Sequence, residues 1–145
     1  MKNIIMKESA CLGCGICRVY CQAKHSPNTD LVKSFLRYEA PQPRLRIEEK
    51  KPVCISIRCQ HCDEPACVQS CLTGALSKDT CTGVVSVDSE KCMGCWTCAL
   101  LCPYGALLKD KKSGKISKCN LCADKDEPLC VKYCPNGALL VAEIK

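Results

Sequence analysis

The sequence predicts an α+β fold of short helices and β-hairpins, organised as two interleaved modules. Three observations carry that prediction. Sixteen of the 18 cysteines in this 145-residue chain fall into four compact runs. One stretch occurs twice: residues 63–76 (DEPACVQSCLTGAL) match residues 126–139 (DEPLCVKYCPNGAL) at nine of fourteen positions. Phe, Tyr and Trp together make up only 4% of the chain, too little to fill a core of ordinary construction. Something other than bulky side chains must occupy the interior.

The third run shows what that is. Cys92-Met93-Gly94-Cys95-Trp96-Thr97-Cys98-Ala99-Leu100-Leu101-Cys102-Pro103 is a complete C-x2-C-x2-C-x3-C-P, the spacing by which bacterial ferredoxins hold a [4Fe–4S] cluster. Three thiolates in a tight loop wrap one corner of a cubane, and the fourth usually serves a second cluster. A lone C-x2-C would say little; the full run with its terminal Pro is specific.

Taken in chain order, Asn3–Lys7 reads as a short strand leading into Cys11-x2-Cys14-x2-Cys17-x3-Cys21, where Gln22 stands in place of Pro. Residues 22–53 hold no Cys and read as an insert, with turns at Ser26-Pro27-Asn28 and Pro41-Gln42-Pro43. Within it, Leu31–Leu36 reads as a short helix and Arg44–Glu48 as a strand. Pro52–Ile57 reads as a second strand. The insert is either a cover over one metal site, a docking surface, or a plain packed hairpin.

The second run, Cys59-x2-Cys62-x4-Cys67-x3-Cys71, contains Asp63-Glu64-Pro65, a helix start that would place its last two cysteines on a short helix. Gly74–Leu76 with Gly83–Asp88, and Gly105–Leu108 with Gly114–Ser117, read as hairpins. The basic tip Lys109–Ser113 reads as a solvated turn, with steering of an acidic partner as the rival reading. The fourth run is Cys119-x2-Cys122-x7-Cys130-x3-Cys134-Pro135, and Ala138–Ile144 reads as a closing strand able to pair with the first. The first and third runs also align, so one two-run unit is used twice.

Zinc is the chemical alternative, but structural zinc sites join two separated C-x2-C pairs, whereas these runs are triplets plus one. A disulfide scaffold is disfavoured by the triplet spacing and by an N-terminus without signal-peptide character, which also gives a cytoplasmic expectation. The longest apolar runs are too short to span a membrane. The formal charge of +6 suggests nucleic acid at first sight. However, four thiolate-bound oxidised cubanes would add about −8 and bring the loaded chain to roughly −2. The basic excess then reads as compensation for buried anions, and nucleic-acid binding is not expected.

Gly13 and Gly94 keep the loops tight enough for backbone N–H groups to face cluster sulfur. Cys54 reads as a small buried hydrophobe and Cys81 as a turn residue. His61 reads as a solvent-facing loop residue, with a hydrogen bond to sulfide as the alternative. Trp96 reads as a shield against water. Because metal binding templates such folds, the metal-free chain is expected to be largely unfolded.

With these motifs in place, the chain resembles the four-cluster, polyferredoxin-type electron-transfer subunits. That family includes the β-subunits of dimethyl sulfoxide reductase and formate dehydrogenase, hydrogenase component B, and the ferredoxin-like subunit of carbon monoxide dehydrogenase. The resemblance covers residues 8–142. It implies four [4Fe–4S] clusters with the fourth Cys exchanged between paired runs. One cluster would be held by Cys11, Cys14, Cys17 and Cys134, and its neighbour by Cys119, Cys122, Cys130 and Cys21. A third would be held by Cys59, Cys62, Cys67 and Cys102, and the fourth by Cys92, Cys95, Cys98 and Cys71. The implied fold is two ferredoxin-like dicluster modules, an inner one over residues 59–118 and an outer one from 1–58 with 119–145. Cys95 is intact and Trp96 follows it, so a cubane is expected there too.

The function implied is electron transfer without catalysis, between a redox enzyme and a second carrier. The phrase around Cys92–Ala106 most resembles the carbon monoxide dehydrogenase branch. Formate dehydrogenase, hydrogenase and tungsten aldehyde oxidoreductase remain as partners. The rivals are a standalone multicluster ferredoxin and a structural protein that nucleates a larger assembly.

Overall fold

The first and last strands of the chain pair with one another. In this computed structural model, which describes residues 2–27, 30–36 and 42–143, the elements run in this order. They are β1 (Lys2–Met6), a 3-10 turn (Glu8–Ala10), α1 (Ile16–Lys24), α2 (Leu31–Leu36), β2 (Arg46–Lys50), β3 (Val53–Ile57), α3 (Ala66–Gln69), β4 (Leu76–Lys78), β5 (Val85–Val87), α4 (Thr97–Leu100), β6 (Leu108–Lys109), β7 (Ile116–Ser117), α5 (Leu129–Lys132) and β8 (Leu139–Glu143). Among the described residues the strands form four antiparallel pairs: β1 with β8, β2 with β3, β4 with β5, and β6 with β7. The α+β class read from the sequence is observed, as is the closing of the chain ends, with Ile4 opposite Val141. Asn28, Pro41 and Ile144, named in the expected turns and last strand, lie outside the described residues.

The repeat is visible in three dimensions. In the second and fourth runs Pro65 and Pro128 occupy the N-cap positions of α3 and α5, where a missing N–H costs nothing. In the first and third runs α1 and α4 begin after Gly15 and Trp96, both in the left-handed region at φ 76° and 66°. Gly accepts that conformation freely, whereas Trp is held in it.

One expectation needs correction. The sequence placed both Cys67 and Cys71 on a helix, but α3 holds only Cys67, and Cys71 follows the C-cap Ser70. The Cys71 N–H donates to Val68 O at 3.2 Å, a tightened last turn, and Gly74 at φ 62° then turns the chain into β4. Only α1 carries its last two run cysteines together, because Gln22 in place of Pro lets the helix continue to Lys24.

Two separate hydrophobic clusters fill the interior. One gathers Ile4, Cys21, Leu45, Cys130 and Leu139, with Cys17 and Cys134 against it. The other gathers Leu76, Val85, Cys98, Leu107 and Ile116, with Cys67, Cys71, Cys92, Cys102 and Trp96 against it. In the first, α1 and α5 lie side by side, and Tyr20 stacks on Tyr133 with ring centroids 3.8 Å apart. Cysteine thus does in both cores what aromatic residues do elsewhere.

Candidate metal centres

The Cys11–Cys17 loop, the start of α1, the turn after α5 and the β2–β3 hairpin enclose a cavity. Cys11, Cys14, Cys17 and Cys134 all line it, with Ile47 and Ser56 from the hairpin as wall. The hairpin therefore forms one wall of this cavity. Burial pushes the Cys17 thiol up, the Ser56 hydroxyl and Arg18 N–H offset part of that, and the charges of Cys14 and Cys11 add to it. Cys134 accepts the Ala138 N–H at 3.2 Å.

The remaining run sulfurs act on one another both within and across the expected groups. Cys21, on α1, is pushed up to about 12 by burial; the Arg44 N–H, donated at 3.2 Å, opposes this, while Cys119 and Cys122 reinforce it. Cys130, on α5, is likewise pushed to about 12 by burial and then by Cys119, with Cys21 and Cys122 adding and Arg58 opposing. In the inner part of the chain, burial raises Cys62 and Cys67, and both feel Cys59 and Cys102. Cys98 is raised to about 11 by burial and then by Cys67, Cys95 and Cys71. The exposed Cys95 thiol is lowered by the N–H and then the hydroxyl of Thr97. Cys92 lies against the same inner core. Cys14 and Cys95 are exposed, while Cys21, Cys59, Cys98, Cys122 and Cys130 are buried.

Among the described residues, no three His, Cys, Asp or Glu side chains close on a single-ion site. The buried sulfurs are expensive to ionise on their own, and a cationic iron core held by them would supply the charge that makes thiolates of them. The cavity, the four-sulfur lining and the backbone N–H groups on sulfur fit a cubane.

Three side chains near these sulfurs escaped the sequence reading. His61 was expected to face solvent but is 4% exposed. It takes φ 49°, its Nδ1 accepts the Val85 N–H at 2.9 Å, and its Nε2 has no protein partner. Burial, then the charges of Lys118 and Lys78, lower it to about 3, so the ring is neutral. Arg58 and Lys118 are 2% and 1% exposed. The available signal was positional, since each precedes the first Cys of an equivalent run. Cys54 and Cys81 behave as read: Cys54 is buried in β3 and Cys81 is exposed in the β4–β5 turn. Trp96 packs on the inner core with Lys109 Nζ 4.9 Å from its ring centre.

Comparison with known proteins gives a consistent picture. The family described as "4Fe-4S dicluster domain" matches residues 51–144. Electron transport protein HydN of Escherichia coli is 31% identical over 156 residues, covering 97% of this chain and 87% of its own. Thiosulfate reductase electron transfer subunit PhsB of Salmonella typhi is 34% identical over 91% of this chain and 70% of its own. The solved active site complex BamBC of benzoyl coenzyme A reductase contains a chain of like fold, at 25% identity and TM-score 0.54, over 98% of this chain and 76% of that one. The chain belongs to the 4Fe-4S dicluster domain family of iron–sulfur electron-transfer proteins.

Proposed function

We propose that this chain binds four [4Fe–4S] clusters and serves as the non-catalytic electron-transfer subunit of an oxidoreductase, linking its catalytic subunit to a second redox carrier. The ligand sets are those given above: Cys11, Cys14, Cys17 and Cys134; Cys119, Cys122, Cys130 and Cys21; Cys59, Cys62, Cys67 and Cys102; and Cys92, Cys95, Cys98 and Cys71. When bound, such clusters supply one-electron transfer. The observation that carries the reading is the cavity whose four sulfurs come from the first run and from Cys134 of the last. The two hydrophobic clusters support a division into an inner module, 59–118, and an outer module, 1–58 with 119–145.

The remaining residues insulate and expose. The charge of buried Cys59 acts on Cys119, which supports a junction of the two modules at their two sets. Exposed Cys14 and Cys95 support outward-facing sets at the ends. Around the last set, Leu72 and Leu100 are 87% and 85% exposed, and Met93, Leu101 and Tyr104 are also exposed. Apolar side chains beside a ligand loop favour a docked subunit over a freely diffusing carrier.

As partner we propose carbon monoxide dehydrogenase, which the third-run phrase favours, with formate dehydrogenase, hydrogenase and tungsten aldehyde oxidoreductase behind it. No helix among the described residues is long and apolar enough to cross a membrane. The test is metal analysis of the protein purified anaerobically with whatever accompanies it. About sixteen irons per chain are expected. Accompanying nickel points to carbon monoxide dehydrogenase or a nickel hydrogenase, and tungsten or molybdenum to an aldehyde or formate enzyme. Zinc near four per chain would overturn the reading.

A further inference from the structure

Arg58 and Lys118 are the largest fully buried side chains in the protein. Among the described residues neither pairs with a carboxylate. Arg58 Nη1 donates to Ser56 O at 3.1 Å and Nη2 to Ile4 O, while Nε has no protein partner. Lys118 Nζ donates to Val85 O and to Cys119 O, the latter at 2.9 Å. A buried charge served only by carbonyl dipoles is expensive, and proteins keep one where an opposite charge faces it.

The groups facing these cations are sulfurs. The charges of Cys130, Cys119 and Cys17 act on Arg58 against the burial that lowers it. Lys118 acts on Cys67 and on Cys119. The two positions are equivalent in the repeat: Arg58-Cys59-Gln60-His61-Cys62 aligns with Lys118-Cys119-Asn120-Leu121-Cys122. His61 and Leu121 even share the left-handed backbone, at φ 49° and 55°. Each cation therefore stands at the last residue before the chain crosses between modules. Arg58 holds on to β1 of the outer part and Lys118 to β5 of the inner part.

We propose that Arg58 and Lys118 are a matched pair of fixed internal cations that raise the reduction potentials of the two central clusters, Arg58 that of the set Cys119, Cys122, Cys130 and Cys21, and Lys118 that of the set Cys59, Cys62, Cys67 and Cys102. This rests on the four-cluster reading. Reduction adds an electron to an anionic site, so a nearby fixed positive charge favours the reduced form. With no other fully buried Lys or Arg among the described residues, the central pair becomes the place where an electron rests while the modules exchange it.

The experiment is an anaerobic redox titration of the whole chain followed by EPR, with iron counted on every sample. The variants are Arg58→Gln and Lys118→Gln, which keep a donor and drop the charge, and Arg58→Lys and Lys118→Arg, which keep the charge. Each Gln variant is expected to keep its iron and to lower one cluster's reduced-to-oxidised ratio about tenfold at fixed potential, equal to about 59 mV for one electron. The two variants should move different clusters, and the charge-keeping variants should restore most of each shift. Unmoved potentials at full iron would overturn the proposal. So would iron loss in both Gln variants with normal iron and potentials in the charge-keeping ones, since that assigns the cations to cluster retention alone. Wild-type protein with iron for fewer than four clusters would instead overturn the reading beneath it.

Discussion

The Val85 N–H donates to His61 Nδ1 across 2.9 Å and so ties the β4–β5 hairpin to the middle of the second Cys run. Because Nδ1 accepts, the neutral ring carries its proton on Nε2, inside the protein. His61→Ala would leave the Val85 N–H buried without an acceptor, at a cost of about 1–3 kcal/mol. His61→Asn keeps an acceptor and tolerates the left-handed backbone, and should recover part of that loss. The check is the guanidinium midpoint of cluster absorbance for both variants. Equal midpoints would mean that the bond contributes nothing.

Gly13 is where the first metal loop meets the hairpin beneath it. A Cβ built there would lie 2.9 Å from Cys54 Sγ and 3.2 Å from Glu49 Oε1, on a backbone at φ 68°. Gly15 shares the positive φ, at 76°, but faces open space. Gly15→Ala should therefore cost only backbone strain, about 1–2 kcal/mol. Gly13→Ala should cost more and lose iron from one cluster, and adding Cys54→Ala should restore part of that iron. Strict additivity in this cycle would show that the two residues do not press on each other.

Cys95 and Cys81 are both exposed, yet only one stands in a run. Cys95→Ser is expected to damage one cluster, leaving about twelve irons per chain, with the other reduced-state EPR signals intact. Cys81→Ser should keep all the iron. Full iron and unaltered spectra in Cys95→Ser would remove Cys95 from the ligand sets.

Local chemistry makes much of this architecture legible in the sequence. Ile4 and Val141 lie in apolar segments at opposite ends of the chain, and among the described residues their two strands pair only with each other. Pro65 and Pro128 announced the starts of their helices, since a Pro ring presets φ for a first turn. What was hidden depended on three-dimensional neighbours. Arg58, Lys118 and His61 are residue types usually found in water, and their burial follows from buried sulfur charge and from the Val85 amide, neither visible in a linear spacing. The boundary at Cys71 was missed for a related reason: Gly74 sets it from three residues downstream.

His25 closes α1 and gives the protein a pH-dependent stability of its own. Burial, then the charges of Arg44 and Lys24, lower it to about 4, with Asp124 opposing. Lys24 is also ion-paired with Asp124, which fixes that positive charge nearby. An unfolded chain protonates this imidazole near pH 6.5. Between there and about pH 4 the unfolded state binds the extra proton, so stability present above about pH 6.5 is lost as the pH falls through that window. His25→Gln has no such proton to take up. Wild type should lose on the order of 1–2 kcal/mol more than His25→Gln between pH 7.5 and pH 5, read from guanidinium midpoints at the two pH values. Any acid lability of the clusters is common to both proteins and cancels in the difference. Parallel losses would mean that His25 titrates as it does in water.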